Sequence, residues 1–188
     1  MFSTYSLDDL LHNSFKLSLA KDSRFIKVCK LTESSPDTKN PELNVLINDT
    51  ACNMVVFRSD KRLANNHEDN ILRYFNSTIS DLTKIPDYII FIENSNIVDV
   101  IIVEMKSERH DNNEVKIKFR NGKIIANYLI AITNKQLNSV KLLLSLKPSK
   151  KSTMNSKNQE KFLPDKHYGW YTIKSKRFNA LDLLALQP

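Results

Sequence analysis

The chain has 188 residues, 41% hydrophobic and 26% charged, proportions that suit one globular domain with a sizeable core and exclude a fibrous repeat or wholesale disorder. Its formal charge of +7 favours an anionic partner, with nucleic acid ahead of an anionic membrane surface. Two cysteines, Cys29 and Cys52, and four scattered histidines have neither zinc-ligand spacing nor the density of a disulfide framework, which fits a reducing compartment.

The N-terminal MFSTYSLDDLL lacks the basic segment, apolar run and cleavage site of a secretory signal. No run approaches the roughly 18 apolar residues of a membrane span, so the expectation is an intracellular, cytoplasmic protein with no membrane association. Ser6 with Asp9 reads as a helix start, and Leu7, Leu10, Leu11, Phe15 and Leu19 at helical spacing predict an amphipathic helix over 7–20. RFIKVCKL reads as a strand and TESSPDTKNPE as a loop. Leu43 to Ile47 and Met54 to Phe57 read as two strands of an antiparallel hairpin around Asn48-Asp49-Thr50.

Ile71, Leu72, Phe75 and Ile79 share one helical stripe and predict a second helix. From Asn113 to about Thr133, Val115, Phe119, Gly122, Ala126, Leu129 and Ile130 form an apolar stripe opposite Lys116, Arg120, Lys123 and Asn127. Val140 to Leu146 is a buried strand, Lys147 to Lys161 a basic loop, HYGWYTIKS a last strand, and Leu181 to Leu184 a short helix. The only glycines, Gly122 and Gly169, lie too far apart for a P-loop or a dinucleotide fingerprint, which need clustered glycines so that backbone amides can approach phosphate.

The chemistry gathers in PDYIIFIENSNIVDVIIVEMK, from Pro86 to Lys106. It reads as two apolar strands around a short polar turn. Side chains alternate along a strand, so Glu104 and Lys106 share one face and Met105 takes the other. A two-residue loop at Ser95-Asn96 would pair Asn94 with Ile97 and, counting back, Asp87 with Glu104, whereas a three-residue loop would shift the pairing by one and make the two acids diagonal neighbours, still within reach of one ion. Opposed like charges destabilise a sheet, by on the order of 4 kcal/mol at about 4 Å and an effective dielectric near 20. A divalent cation offsets that repulsion, and magnesium is commonly held by one or two carboxylates plus waters. The bare patterns carry no weight, because D/E-x-K occurs also at Asp37 and Glu114, and Pro-Asp also at Pro36 and Pro164. Only Pro86-Asp87 opens an apolar strand, and only Glu104-Met105-Lys106 closes the strand that follows.

These residues resemble the PD-(D/E)xK nuclease superfamily, with Pro86-Asp87 as its PD element and Glu104-Met105-Lys106 as its ExK element. The likeness covers about residues 52–147 of a single domain, the flanking segments being elaborations. It implies an α/β, restriction-endonuclease-like fold, a mixed β-sheet flanked by helices. It also implies that Asp87 and Glu104 bind Mg2+, or Mn2+ in its place, with the carbonyl of Met105 as a further ligand, while Lys106 assists the attacking water. Asp9 and Glu68 are candidates for the acid that many members carry on the first helix. Ile124 stands where several branches have a glutamine, four residues ahead of Tyr128.

The resulting expectation is a metal-dependent endonuclease acting on phosphodiesters, DNA before RNA, and compatible with a homodimer or a partner subunit. Lys116, Arg120 and Lys123 are the candidate phosphate contacts. Between Lys135 and Arg177 eleven Lys or Arg stand against two acids, which supports the same substrate. Trp170, with Tyr168 and Tyr171, is placed either in base stacking or in the core. The competing expectation is a catalytically inactive nucleic-acid-binding or protein-interaction subunit that keeps the fold.

Overall fold

A computed structural model describes residues 6–11, 13–22, 25–32, 42–59, 81, 83–106, 110–147 and 162–187. The predicted helix around Ile71 to Ile79, the loop from 33 to 41 and most of the basic loop lie outside the described residues, as does Glu68.

The predicted helix over 7–20 is a single turn, α1 (Leu7–Leu10), capped by the expected Ser6–Asp9 box. The chain then passes through a 3-10 turn (Asn13–Phe15) and becomes extended. Lys16 bridges Phe57, and the Leu17 amide donates to the Val56 carbonyl at 3.0 Å. Backbone groups on a sheet edge need partners, and supplying them overrides the helical spacing of Phe15 and Leu19.

Strands β1 (Ala20–Asp22), β2 (Phe25–Thr32) and β3 (Glu42–Ile47) begin a four-stranded sheet. β4 (Asn53–Arg58) belongs to another sheet, so β3 and β4 do not form the predicted hairpin. Asp49 closes a local turn by accepting the Ala51 amide at 2.8 Å, and a turn of that kind serves a crossing between sheets as well as a hairpin.

β5 (Tyr88–Asn94), β6 (Ile97–Lys106) and β7 (Gln136–Leu146) form the middle of the second sheet, with α2 (Asn112–Thr133) carrying the crossover from β6 to the parallel β7. β8 (Leu163–Asp165) and β9 (Trp170–Ile173) complete it in the order β4-β5-β6-β7-β9-β8. β10 (Arg177–Asn179) returns to pair in parallel with β3, and α3 (Ala180–Leu184) follows.

The class is therefore α/β with two mixed sheets. One face of the six-stranded sheet packs on α2 through Val100, Ile102, Phe91 and Phe119. The other face packs on the four-stranded sheet through Ile90, Ile101, Val103, Met105, Leu43 and Val45. Among the described residues the four-stranded sheet covers most of that second face, with α3 packed beside it. Burial on both faces explains why β5 and β6 read as unbroken apolar runs. Each fully buried aliphatic or phenylalanine side chain there contributes about 1.5–3 kcal/mol.

α2 buries the stripe that its spacing predicts, Val115 through Thr133. Gly122 lets it settle onto the hairpin, since a Cβ there would stand 2.8 Å from Pro86 Cγ and 2.9 Å from Ile102 Cγ2. Asn121 adds a polar clamp, its Nδ2 donating to the carbonyls of Asp81 and Lys84 at 2.7 Å each. Asn121-Gly122 thus docks the helix against the segment that leads into Asp87. No helix among the described residues is long and apolar enough to cross a membrane.

Candidate functional site

Of the two loop lengths considered, the hairpin has the two-residue one, with Asn94 opposite Ile97 and Tyr88 opposite Val103. Ser95 has a positive φ of 54° at the first loop position, where two-residue hairpins place residues outside the right-handed regions. One more step along this register puts Asp87 across from Glu104. Ser59, at the end of β4, fixes the approach: its amide donates to the Asp87 carbonyl at 3.1 Å and its hydroxyl to the Pro86 carbonyl at 2.5 Å.

Asp87 is buried, and its Oδ2 accepts the Met105 amide at 2.6 Å. Within a strand the N–H and C=O of one residue point to the same side, so the Met105 carbonyl also faces the Asp87 side. The Met105 side chain lies in the core between the sheets, as alternation requires.

Glu104 is fully buried. Its Oε1 accepts Lys118 Nζ at 2.7 Å and lies 3.0 Å from Lys106 Nζ. Its Oε2 is buried with no hydrogen-bond partner among the described residues. Glu114, in the first turn of α2, stands 3.5 Å from Lys106 and 3.6 Å from Lys118. Leaving a buried carboxylate oxygen unpaired costs about 1–3 kcal/mol or more, so Oε2 marks a place where a further donor or cation would be favoured.

Lys118 is the residue that the sequence reading missed. It sits three positions after Val115 and four before Gly122, inside the stripe that α2 buries. A lysine in an apolar helical stripe is the signal that would have found it. Burial alone would lower its pKa, but the charges of Glu104 and Asp87, the hydrogen bond to Glu104 and the charge of Glu114 outweigh that and raise it above the ordinary lysine value. It is a fixed cation held against Glu104.

Lys116, Arg120 and Lys123 are exposed. At 100° per residue they lie on the side of α2 away from Lys118 and the sheet, so they do not converge on Asp87 and Glu104. Trp170 is core: it is buried, stacked on Tyr168 at 4.5 Å and edge-on to Phe119 at 5.6 Å. Asp9 lies at the other end of the hairpin, because the adjacent Leu7 amide reaches Glu93 Oε1 at 3.5 Å and Glu93 is six residues, roughly 20 Å, along the strand from Asp87.

Among the described residues no group of three or more His, Cys, Asp or Glu side chains is placed to hold a metal ion. The site offers two carboxylates and one carbonyl, a donor set of hard oxygens that suits magnesium with waters and substrate oxygens completing the shell. No protein-family model, curated protein or solved structure matches the chain.

Proposed function

We propose that the chain is a metal-dependent nuclease that hydrolyses phosphodiester bonds, DNA in preference to RNA, at the Asp87–Glu104 end of the hairpin. The observation that carries this reading is Glu104, buried completely, with two ammonium groups on Oε1 and Oε2 unpartnered among the described residues. A purely structural acid at that depth would have both oxygens satisfied.

In this reading Asp87, Glu104 and the Met105 carbonyl hold Mg2+ or Mn2+. The ion supplies Lewis-acid polarisation of a phosphoryl oxygen and neutralises its charge. Lys106 Nζ, on the same strand face as Glu104, orients the attacking water and opposes the charge that develops on the phosphoryl oxygens. Lys118 Nζ adds a second fixed cation from the helix side. Burial lends these charges more weight than they would have in water.

Plasmid, single-stranded DNA and RNA incubated in Mg2+ or Mn2+ with wild type, Glu104→Ala and Lys106→Ala test the assignment. Cleavage by wild type alone is the expected result, and cleavage that survives both substitutions removes the site. Salt-sensitive nucleic-acid binding with no cleavage in either metal favours the inactive binding subunit instead.

A further inference from the structure

On the opposite face of the same sheet, Lys141 is buried, 8% exposed. Its Nζ donates to the Leu186 carbonyl and stands 5.7 Å from the Tyr171 ring centroid. Among the described residues no carboxylate pairs with it. A buried ammonium group without a counter-charge is costly, and a carbonyl with an aromatic ring offsets only part of that.

Lys141 lines a cavity of about 520 Å³, shared with Phe162, Asp165, Tyr171, Leu186 and Gln187. That volume falls within the roughly 300–1,000 Å³ of small-molecule sites. The space exists because β9 pairs only with Leu143 to Ser145. β6 flanks the other edge of β7 throughout, but among the described residues no strand lies along the β9 edge before Leu143. Gly169, at φ 72°, leaves the entrance open, with nothing within 4 Å of where a Cβ would stand.

Two other polar side chains on the walls make bonds within the fold. Asp165 Oδ1 accepts the amides of His167 at 3.1 Å and Tyr168 at 3.2 Å, and the Tyr171 hydroxyl donates to the Gln187 carbonyl at 2.6 Å. Lys166, on the rim, is exposed. An ammonium group has three donors, and Leu186 takes one, which leaves two for the two oxygens of a carboxylate. The Asp165 charge in the wall disfavours a dianion such as a phosphate monoester. Phe162, held edge-on to Phe178 at 5.9 Å, and Tyr171 present apolar ring surface beside the cation.

We propose that this cavity binds a small aromatic carboxylate, its carboxylate on Lys141 Nζ and its ring between Phe162 and Tyr171. Lys141 projects toward the inter-sheet core while Glu104 projects toward α2, so the site is separate from the candidate metal site and does not depend on the nuclease reading.

Thermal denaturation of the full chain with phenylacetate or indole-3-acetate, beside the matching neutral amides, tests it. The carboxylates should raise the Tm of wild type by about 3–6 °C at ten times Kd, the amides should not, and Lys141→Met should abolish the shift while Lys141→Arg keeps part of it. Absence of any shift at millimolar carboxylate, an equal shift with the amides, or a shift that persists in Lys141→Met would overturn the proposal. The carboxylate–amide comparison uses wild type alone and decides the matter even where Lys141→Met does not fold.

Discussion

Two buried glutamates stand at opposite ends of one hairpin and on the same face of the sheet, and their surroundings differ. Glu93, 5% exposed, has both oxygens engaged: Oε1 by Lys135 Nζ at 2.6 Å and the Leu7 amide at 3.5 Å, Oε2 by Asn53 Nδ2 at 3.0 Å. It ties β4, β5, α1 and the turn into β7 together. Glu104, fully buried, crowds two lysines onto one oxygen and leaves the other bare. Burial of a charge therefore does not by itself indicate chemistry. The informative quantity is how completely the local groups satisfy it, because evolution has no structural use for an oxygen left without a partner.

The largest expected effect is on cleavage. In Mg2+, Glu104→Gln should lower the cleavage rate by at least about 10²-fold, the scale of losing one electrostatic stabiliser, whereas Glu93→Gln should leave it near wild type; plasmid nicking by both variants reads the contrast. Stability should show the reverse ranking. Glu93→Ala strands Lys135 without its partner and should cost about 3–5 kcal/mol in denaturant unfolding. Glu104→Ala should cost less in metal-free buffer, since Lys106 and Lys118 both keep Glu114 within 3.6 Å.

A metal titration sharpens the same contrast without any catalysis. Mn2+ at ten times Kd should raise the Tm of wild type and of Glu93→Gln by about 3–6 °C and should not raise that of Glu104→Gln. Equal shifts in the three proteins would place the ion elsewhere. Gly122→Ala probes the docking that brings Lys118 to Glu104. Overpacking against Pro86 and Ile102 should cost about 1–3 kcal/mol, of which alanine's better helix propensity offsets about 1, and the cleavage rate should fall because α2 is pushed off the hairpin.

What was legible in the sequence was local. The turn at Ser95-Asn96 sets the register, and the 3.6-residue spacing from Val115 to Ile130 sets the buried face of α2. Both depend on residues close together in the chain. The four-stranded sheet was not legible, because its β3–β10 pairing joins Val45 to Phe178 and no short-range pattern encodes a partner that distant. The helix expected over 7–20 failed for a related reason: Lys16 and Leu17 serve the edge of β4, a demand arising from another part of the chain. Lys118 was hidden because attention to the polar stripe of α2 selects exposed lysines, while the one that meets Glu104 interrupts the apolar stripe. Gly122 costs helix propensity, and only the close approach to Pro86 shows its role.

The smallest expected effect concerns Asp9, the described candidate for a third acidic ligand. It belongs to the Glu93 end, where its Oδ2 accepts both the Ser6 amide at 3.1 Å and the Ser6 hydroxyl at 2.6 Å. The hydrogen bonds from the Ser6 side chain and backbone hold its pKa below the ordinary carboxylate value. A carboxylate with a depressed pKa in the folded state adds stability above its unfolded pKa, about 3.9, and loses it as pH falls through the lower folded value. Acidification below about pH 4 should therefore loosen α1, seen as collapse of the Asp9 and Leu10 amide shifts toward random-coil positions. Asp9→Asn should remove that pH dependence and leave the Mn2+-induced rise in Tm at its wild-type size. Loss of the Mn2+ response in Asp9→Asn would put Asp9 at the metal and would mean that the two ends of the hairpin are not separate.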